Sequence, residues 1–186
     1  GTTNILPAGI NARVRVSSFR PEDTSTVTEW LLLFTSFLLM LACGVFVAAE
    51  FAFVTVDRAT VDREAAAGDK AAQGTQKALR GLSTQLSGAQ LGITITNLAI
   101  GFLAEPAIGR LMHEPLTSLG LEGASLSAAS YAIALSLSTF VTMLVGELIP
   151  KNLALALPLQ VAGLTPLPQR AFTKSMAWPI RGLNNV

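Results

Sequence analysis

Three apolar stretches of this chain are each long enough to cross a lipid bilayer as a helix, which takes about 20 residues. They cover residues 30–56, 86–104 and 126–150, and the only charged residues within them are Glu50 and Glu147. The whole chain is 51% hydrophobic and 13% charged, whereas soluble domains carry about 25% charged residues. The sequence therefore predicts an all-α membrane protein with three transmembrane helices.

The segments around these runs are polar and differ in charge. Residues 57–85 carry nine charged side chains, five of them cationic, and residues 151–186 carry four cations, four prolines and no acid. Because cytoplasmic loops hold an excess of Lys and Arg, we predict that both segments are cytoplasmic and that the N-terminus is outside. Residues 1–29 are then an extracellular arm, 30–150 the transmembrane domain with its helical connection 57–85, and 151–186 a set of juxtamembrane helices.

Cysteine and histidine are too rare in this chain for most metal and disulfide frameworks. The single cysteine is Cys43 and the single histidine is His113, so an intramolecular disulfide and a histidine-rich zinc site are both excluded. The stretch MLACG loosely resembles a lipoprotein cleavage box, but the apolar run continues beyond it and no short basic leader precedes it. Any metal site in this chain would therefore be built from oxygen ligands.

Each apolar run has its polar residues on one face, as shown by their spacing of three, four or seven residues. The stripes are Ser36, Cys43 and Glu50 in the first run; Ser87, Gln90, Thr94, Asn97 and Gly101 in the second; and Ser136, Thr139 and Gly146, with Thr142 and Glu147 at the edge, in the third. Hydroxylic and small residues commonly serve helix packing. Ionisable residues inside a membrane are costly and usually mark an ion path, so Glu50 and Glu147 favour a function, while Asn97 fits either reading.

The segment GELIPK near the end of the third run combines a carboxylate with a helix-breaking residue. Pro150 has no N–H and cannot donate to the carbonyl four residues back, that of Gly146. A freed carbonyl beside the Glu147 carboxylate calls for a cation, because neither group can be left without a partner in hydrocarbon. Two cations are available: Lys151, four residues after the carboxylate, or a hard metal ion such as Mg²⁺ or Na⁺.

Three longer stretches resemble a known family. FVAAEFAFVTVDR (46–58), QLGITITNLAIGFLAEP (90–106) and GELIPKNLAL (146–155) are similar to the transmembrane domain of the cyclin-M/CorC magnesium transporters, many of whose bacterial members were called hemolysin-like. The resemblance implies a homodimer in the bacterial plasma membrane. It also implies Mg²⁺ export driven by Na⁺, and a following pair of cytosolic CBS domains that bind ATP, so we expect this chain to be the membrane domain alone.

The resemblance also assigns site residues. Asn97, Gly146 and Glu147 match the family's ion ligands, and Glu50 matches a polar position at the cytoplasmic end of the first helix. Several relatives have serines where this chain has Cys43 and Val47, and neither side chain is a good Mg²⁺ ligand. Additional ligands or water would then complete the shell, and the candidates are Ser36 and Thr94. Further residues are expected along the ion pathway or at its cytoplasmic end: Glu50, Cys43 and Thr142 on the pathway, and Pro150 and Lys151 at the helix break and mouth.

Three functions are consistent with these residues. The first is a Mg²⁺ transporter with an oxygen-lined site between the spans, which performs no covalent chemistry and is not an enzyme. The second is a membrane-embedded sensor or scaffold that binds Mg²⁺ without moving it. The third is a structural dimer in which Glu147 pairs with Lys151 and no ion binds.

Overall fold

The computed structural model describes residues 21–176, including the side chains of residues 27–165, 169 and 171–176. All regular structure in this part of the chain is helical, which confirms the predicted all-α class. Of the predicted extracellular arm, residues 1–20 lie outside the described residues, and residues 21–29 form the beginning of the first helix. The helices are α1 (Pro21–Thr55), α2 (Arg58–Ala66), α3 (Lys70–Leu79), α4 (Leu82–Ser118), α5 (Gly123–Val141), a π-helical segment (Thr142–Leu148), α6 (Ile149–Ala156), α7 (Pro158–Leu164) and α8 (Pro166–Ser175).

Three continuous helical stretches are long and apolar enough to cross a membrane, as the sequence predicts. They are Val27–Thr55, Leu82–Ser118 and Gly123–Ala156, with 29, 37 and 34 residues. The second extends well beyond the predicted run and passes through Pro106 and Pro115. A proline removes one helical hydrogen bond, and helices inside membranes tolerate this where neighbouring helices support the backbone.

The first span is the centre of the structure, because α1 packs against α4, the π segment, α6 and α7. Its inward face is built from small residues: Cys43, Gly44, Ala48, Ala49 and Ala52 are all buried. Small residues let helix backbones approach closely, which is how membrane helices gain packing contacts. Toward the end of α1 the core also includes Phe53 and Val56, together with residues of α2, α3, α6 and α7.

The short helices close one end of the bundle. Asp57 caps α2, since its carboxylate accepts bonds from the Thr60 hydroxyl at 2.6 Å and from the N–H groups of Thr60 and Ala59. These bonds, that of the Thr60 hydroxyl first, lower the pKa of Asp57 below its ordinary value. The cap is therefore ionised at neutral pH, and it fixes where α2 leaves α1. Thr75 of α3 donates to the Ala162 carbonyl of α7 at 2.8 Å, so these two helices are also joined.

The contact between α1 and α4 depends on a glycine. A Cβ added to Gly92 would lie 2.7 Å from the Phe46 ring. That ring is buried and also packs against Phe172 of α8, with 4.7 Å between ring centroids. The Phe46 ring therefore has little room to move away from a side chain added at Gly92.

We expect Gly92→Ala to lower the free energy of unfolding by about 1–3 kcal/mol, the usual cost of overpacking. Gly101→Ala is the matched control on the same helix, because nothing lies within 4 Å of a Cβ placed there. This second change should be neutral or stabilising by about 0.5–1 kcal/mol, since alanine favours a helix over glycine. Thermal unfolding in detergent measures both, and equal stability of the two variants would contradict the packing assigned to Phe46.

Candidate ion site

A fully buried thiol lies near the middle of the first span. Cys43 is twelve residues before the end of α1 at Thr55, or about 18 Å along the helix axis. Its Sγ donates to Oδ1 of Asn97 on α4 over 3.3 Å. Val47, the other position at which the family resemblance led us to expect a serine, is buried one turn further along α1. The first two spans are therefore linked by a polar contact deep in the apolar bundle.

The same asparagine continues the link to the third span. Its Nδ2 donates to Oε1 of Glu147 in the π segment over 3.3 Å. Gly146, the residue before this carboxylate, is buried against Cys43, whose Sγ would lie 3.7 Å from a Cβ at that glycine. Cys43, Asn97, Gly146 and Glu147 thus form one group, here called the three-helix cluster.

The backbone around Gly146 and Glu147 differs from the expected helix break. The third span continues through Pro150, and the change is instead a π-helical register over Thr142–Leu148. The N–H of Ile149 bonds to the carbonyl of Leu144, five residues back. Pro150 is the second residue of α6, at the point where the helix returns from the π register to the α register. Pro150 has no N–H. It therefore donates no hydrogen bond to the Gly146 carbonyl, four residues back, or to the Val145 carbonyl, which would be its partner in the π register.

A second glycine contact holds the π segment against α1. A Cβ on Gly44 would lie 3.5 Å from both Pro150 Cγ and the Val145 carbonyl oxygen. In the π register this carbonyl is the one opposite the proline. The sequence reading did not single out Gly44, although a glycine beside Cys43 in an apolar helix was a signal of close helix contact.

The carboxylate of Glu147 is exposed on the surface of the single chain. Among the residues that the structure describes, Arg110 forms an ion pair with Glu29. In the same part of the chain, no cationic side chain forms an ion pair with Glu147. Lys151, the candidate partner, places its Nζ 4.7 Å from the centre of the Phe51 ring. A carboxylate has about four acceptor positions, and the bond from the asparagine uses one, so room for a cation remains.

Two further predicted ligands are not brought to the three-helix cluster. The Ser36 hydroxyl donates to the Leu32 carbonyl of its own helix at 2.8 Å. It lies seven residues before Cys43, which corresponds to about 10 Å along α1. The Thr94 hydroxyl likewise donates within α4, to the Gln90 carbonyl at 2.8 Å, and its side chain is exposed.

The predicted pathway residues lie on both sides of this group. Thr142 directs its methyl group toward Gly146, with Cγ2 3.6 Å from a Cβ placed there. Glu50 lies seven residues beyond Cys43 and accepts a bond from Nε2 of Gln90 at 3.4 Å. Gln90 is itself seven residues before Asn97, so the same two helices carry a second polar pair two turns away. Gln90 lies on the same polar stripe as Asn97 in the sequence, and this spacing indicated that it faces the first span. The sequence analysis did not predict its hydrogen bond to Glu50.

The chemistry of the cluster suits a hard cation better than a transition metal. Within the described part of the chain, no three His, Cys, Asp or Glu side chains gather as a metal-binding group. The cluster instead offers a carboxylate, an amide and nearby backbone carbonyls, which are the oxygen ligands that Mg²⁺ and Na⁺ accept. The Cys43 thiol adds one soft atom, which favours softer ions.

Comparison with known proteins supports the family resemblance. Residues 33–186 match the model of the cyclin M transmembrane N-terminal domain. The UPF0053 protein YhdT of Bacillus subtilis is 43% identical over 84 residues, which is 45% of this chain and 18% of that protein. The UPF0053 protein MT1890 of Mycobacterium tuberculosis is 40% identical over 97 residues, which is 52% of this chain and 21% of that protein.

The chain spans about a fifth of the length of these curated relatives. The family model, in contrast, covers most of the chain: it includes the first span from residue 33 onward, the other two spans in full, and every member of the three-helix cluster. With the three apolar helices, this match shows that the chain is a membrane protein and that it belongs to the cyclin M family through its transmembrane N-terminal domain.

Proposed function

We propose that this domain transports Mg²⁺ through the three-helix cluster, in the direction of export and coupled to Na⁺. The observation that carries the proposal is the hydrogen-bonded series from the buried Cys43 through Asn97 to the exposed Glu147, which joins all three spans. A carboxylate there is costly unless an ion or proton uses it. Family membership supports a metal-transport role for the domain.

Asn97 is the group that would respond to the ion. Its Nδ2 now donates to Glu147, while its Oδ1 accepts from Cys43. Rotation of the amide by 180° would turn Oδ1 toward a cation at the carboxylate and Nδ2 toward the sulfur, which is a weak acceptor. Mg²⁺ gives up its waters reluctantly, and Cys43 supplies no oxygen, so we expect the bound ion to keep part of its hydration shell.

The pair of Glu50 and Gln90 continues the route toward the 57–85 connection. With the topology predicted from the loop charges, N-terminus outside and C-terminus inside, this pair lies on the cytoplasmic side of the cluster. Lys151 is held on the Phe51 ring near the same end, where its charge would influence the approach of cations. The part of the pathway between the cytoplasm and the three-helix cluster would thus begin at the Glu50 carboxylate and end at the Glu147 carboxylate.

The exposed polar side chains within the spans support a homodimer. Gln90, Thr94 and Glu147 all have exposed side chains in the single chain, and polar groups of this kind rarely face lipid. A second copy would cover part of this surface. We further propose a plasma-membrane location, CBS domains that bind ATP in the full-length protein, and no enzymatic reaction.

Mg²⁺ flux through liposomes tests the site. We expect Glu147→Gln and Asn97→Ala each to lower flux at least about tenfold, because losing one charged or coordinating contact costs roughly 1.5–3 kcal/mol. Glu114→Gln is the matched control, since it removes an exposed carboxylate outside the cluster and should leave flux unchanged. Wild-type flux in both cluster variants would contradict the site, and saturable Mg²⁺ binding without flux would favour the sensor or scaffold.

Substitution of Cys43 separates the contribution of sulfur from that of the hydrogen bond. Cys43→Ser keeps a donor to Asn97 and adds an oxygen, so Mg²⁺ should bind severalfold more tightly, whereas Cys43→Ala should bind it more weakly. Cd²⁺, which prefers sulfur, should inhibit the wild type and neither variant. Thermal shifts with Mg²⁺ measure binding, since a ligand stabilises by RT ln(1 + [L]/Kd). Identical Mg²⁺ shifts in all three proteins would place Cys43 outside the ion site.

A further inference from the structure

A charged cavity lies between α2 and α3, away from the three-helix cluster. Its volume is about 300 Å³, which is at the lower end of the range for small-molecule sites. Five residues line it: Arg58, Asp62, Gln76, Leu79 and Arg80. None of them belongs to the proposed ion route, so the cavity has no role in the function proposed above.

The two arginines reach this cavity from the ends of two different spans. Arg58 follows the end of the first span, Thr55, by three residues, and Arg80 precedes the start of the second, Leu82, by two. The apolar run of the first span ends at residue 56, two residues before Arg58, and the end of such a run marks the boundary between the hydrocarbon core and the headgroups. The cavity therefore lies at the depth of the lipid headgroups.

The charges of the cavity favour an anion. Its acid, Asp62, already accepts a bond from Nε2 of Gln76 at 2.8 Å. Neither Arg58 nor Arg80 forms an ion pair with any group in the part of the chain that the structure describes. Two arginines against one carboxylate leave a net charge of +1. A guanidinium presents five donors in a planar fork that matches the oxygens of a phosphate.

The floor of the cavity is apolar, because Leu79 is 8% exposed and belongs to the core at the end of α1. A ligand with a phosphate and an adjoining hydrocarbon part would satisfy both surfaces, whereas a free phosphate would use only the arginines. Headgroups of anionic lipids supply that combination at this depth, and basic side chains near the membrane surface attract them.

We propose that this cavity binds the phosphate of an anionic lipid headgroup, with Arg58 and Arg80 as its two donors and the glycerol end of the lipid against Leu79. Such a lipid links the end of the first span to the start of the second. It thereby fastens the 57–85 connection to the bundle.

Titration of the delipidated chain in detergent with dioleoylphosphatidylglycerol tests the proposal, with bound lipid counted by native mass spectrometry. The contact of one arginine with the bound anionic headgroup contributes about fivefold in affinity. We therefore expect Arg58→Gln and Arg80→Gln each to weaken binding about fivefold, and the double variant about 25-fold. Asp62→Asn should strengthen binding, because it removes the negative charge of the cavity, and a gain of this kind cannot come from misfolding.

Arg63→Gln is the matched control. It makes the same change of charge on α2, but Arg63 does not line the cavity. The affinity of this variant for the lipid should therefore stay within about twofold of wild type, the level expected for a surface charge. If Arg63→Gln loses as much affinity as Arg58→Gln, binding is a general attraction to charge and the proposal fails. If inorganic phosphate at the same concentration displaces the lipid, the site is one for free anions and the lipid assignment is overturned.

Discussion

The hydrogen bonds that join Cys43, Asn97 and Glu147 determine how the three spans pack. In a bilayer a polar group that loses its protein partner finds no water to replace it. Sliding the second span by a single turn moves its side chains by about 5.4 Å and would break both bonds, and sliding the first or the third span would break one of them. The glycine contacts at Gly44 and Gly92 require the same register, because each brings a bulky group close to a neighbouring backbone. Polar bonding and packing therefore specify one arrangement.

The π segment connects this packing to the proposed chemistry. An extra residue in the helical turn changes the direction of the side chains that follow it, and π segments are frequent at functional sites. Here the segment contains both Gly146 and Glu147, and it ends at Leu148, immediately before α6, whose second residue is Pro150. The proline is accommodated without a break in the span, and its missing N–H leaves one helical hydrogen bond unmade close to the carboxylate. The π segment therefore serves both the packing of the third span and the position of the proposed ion ligands.

Much of this could be predicted from the sequence, because helix length and helix face are local properties. The three spans follow from apolar runs, and the spacing of seven residues puts Cys43 and Glu50 on one face. The register change before Pro150 could not be predicted, because a proline signals a disturbed helix without specifying how the backbone absorbs it. The direction of Lys151, toward Phe51 and away from Glu147, depends on packing between helices that are distant in sequence. The same holds for the bond between Gln90 and Glu50.

The length of α4 has a mechanical consequence. Its 37 residues make a rod of about 55 Å, longer than the bilayer is thick. Toward one end of α4, Gln90 donates to Glu50 of α1, and toward the other end Arg110 forms an ion pair with Glu29 of α1. A rod of this length that tilts by about 5° displaces one end by about 5 Å relative to the other. Small rotations of α4 against α1 would therefore be amplified into opening or closing at the two membrane surfaces.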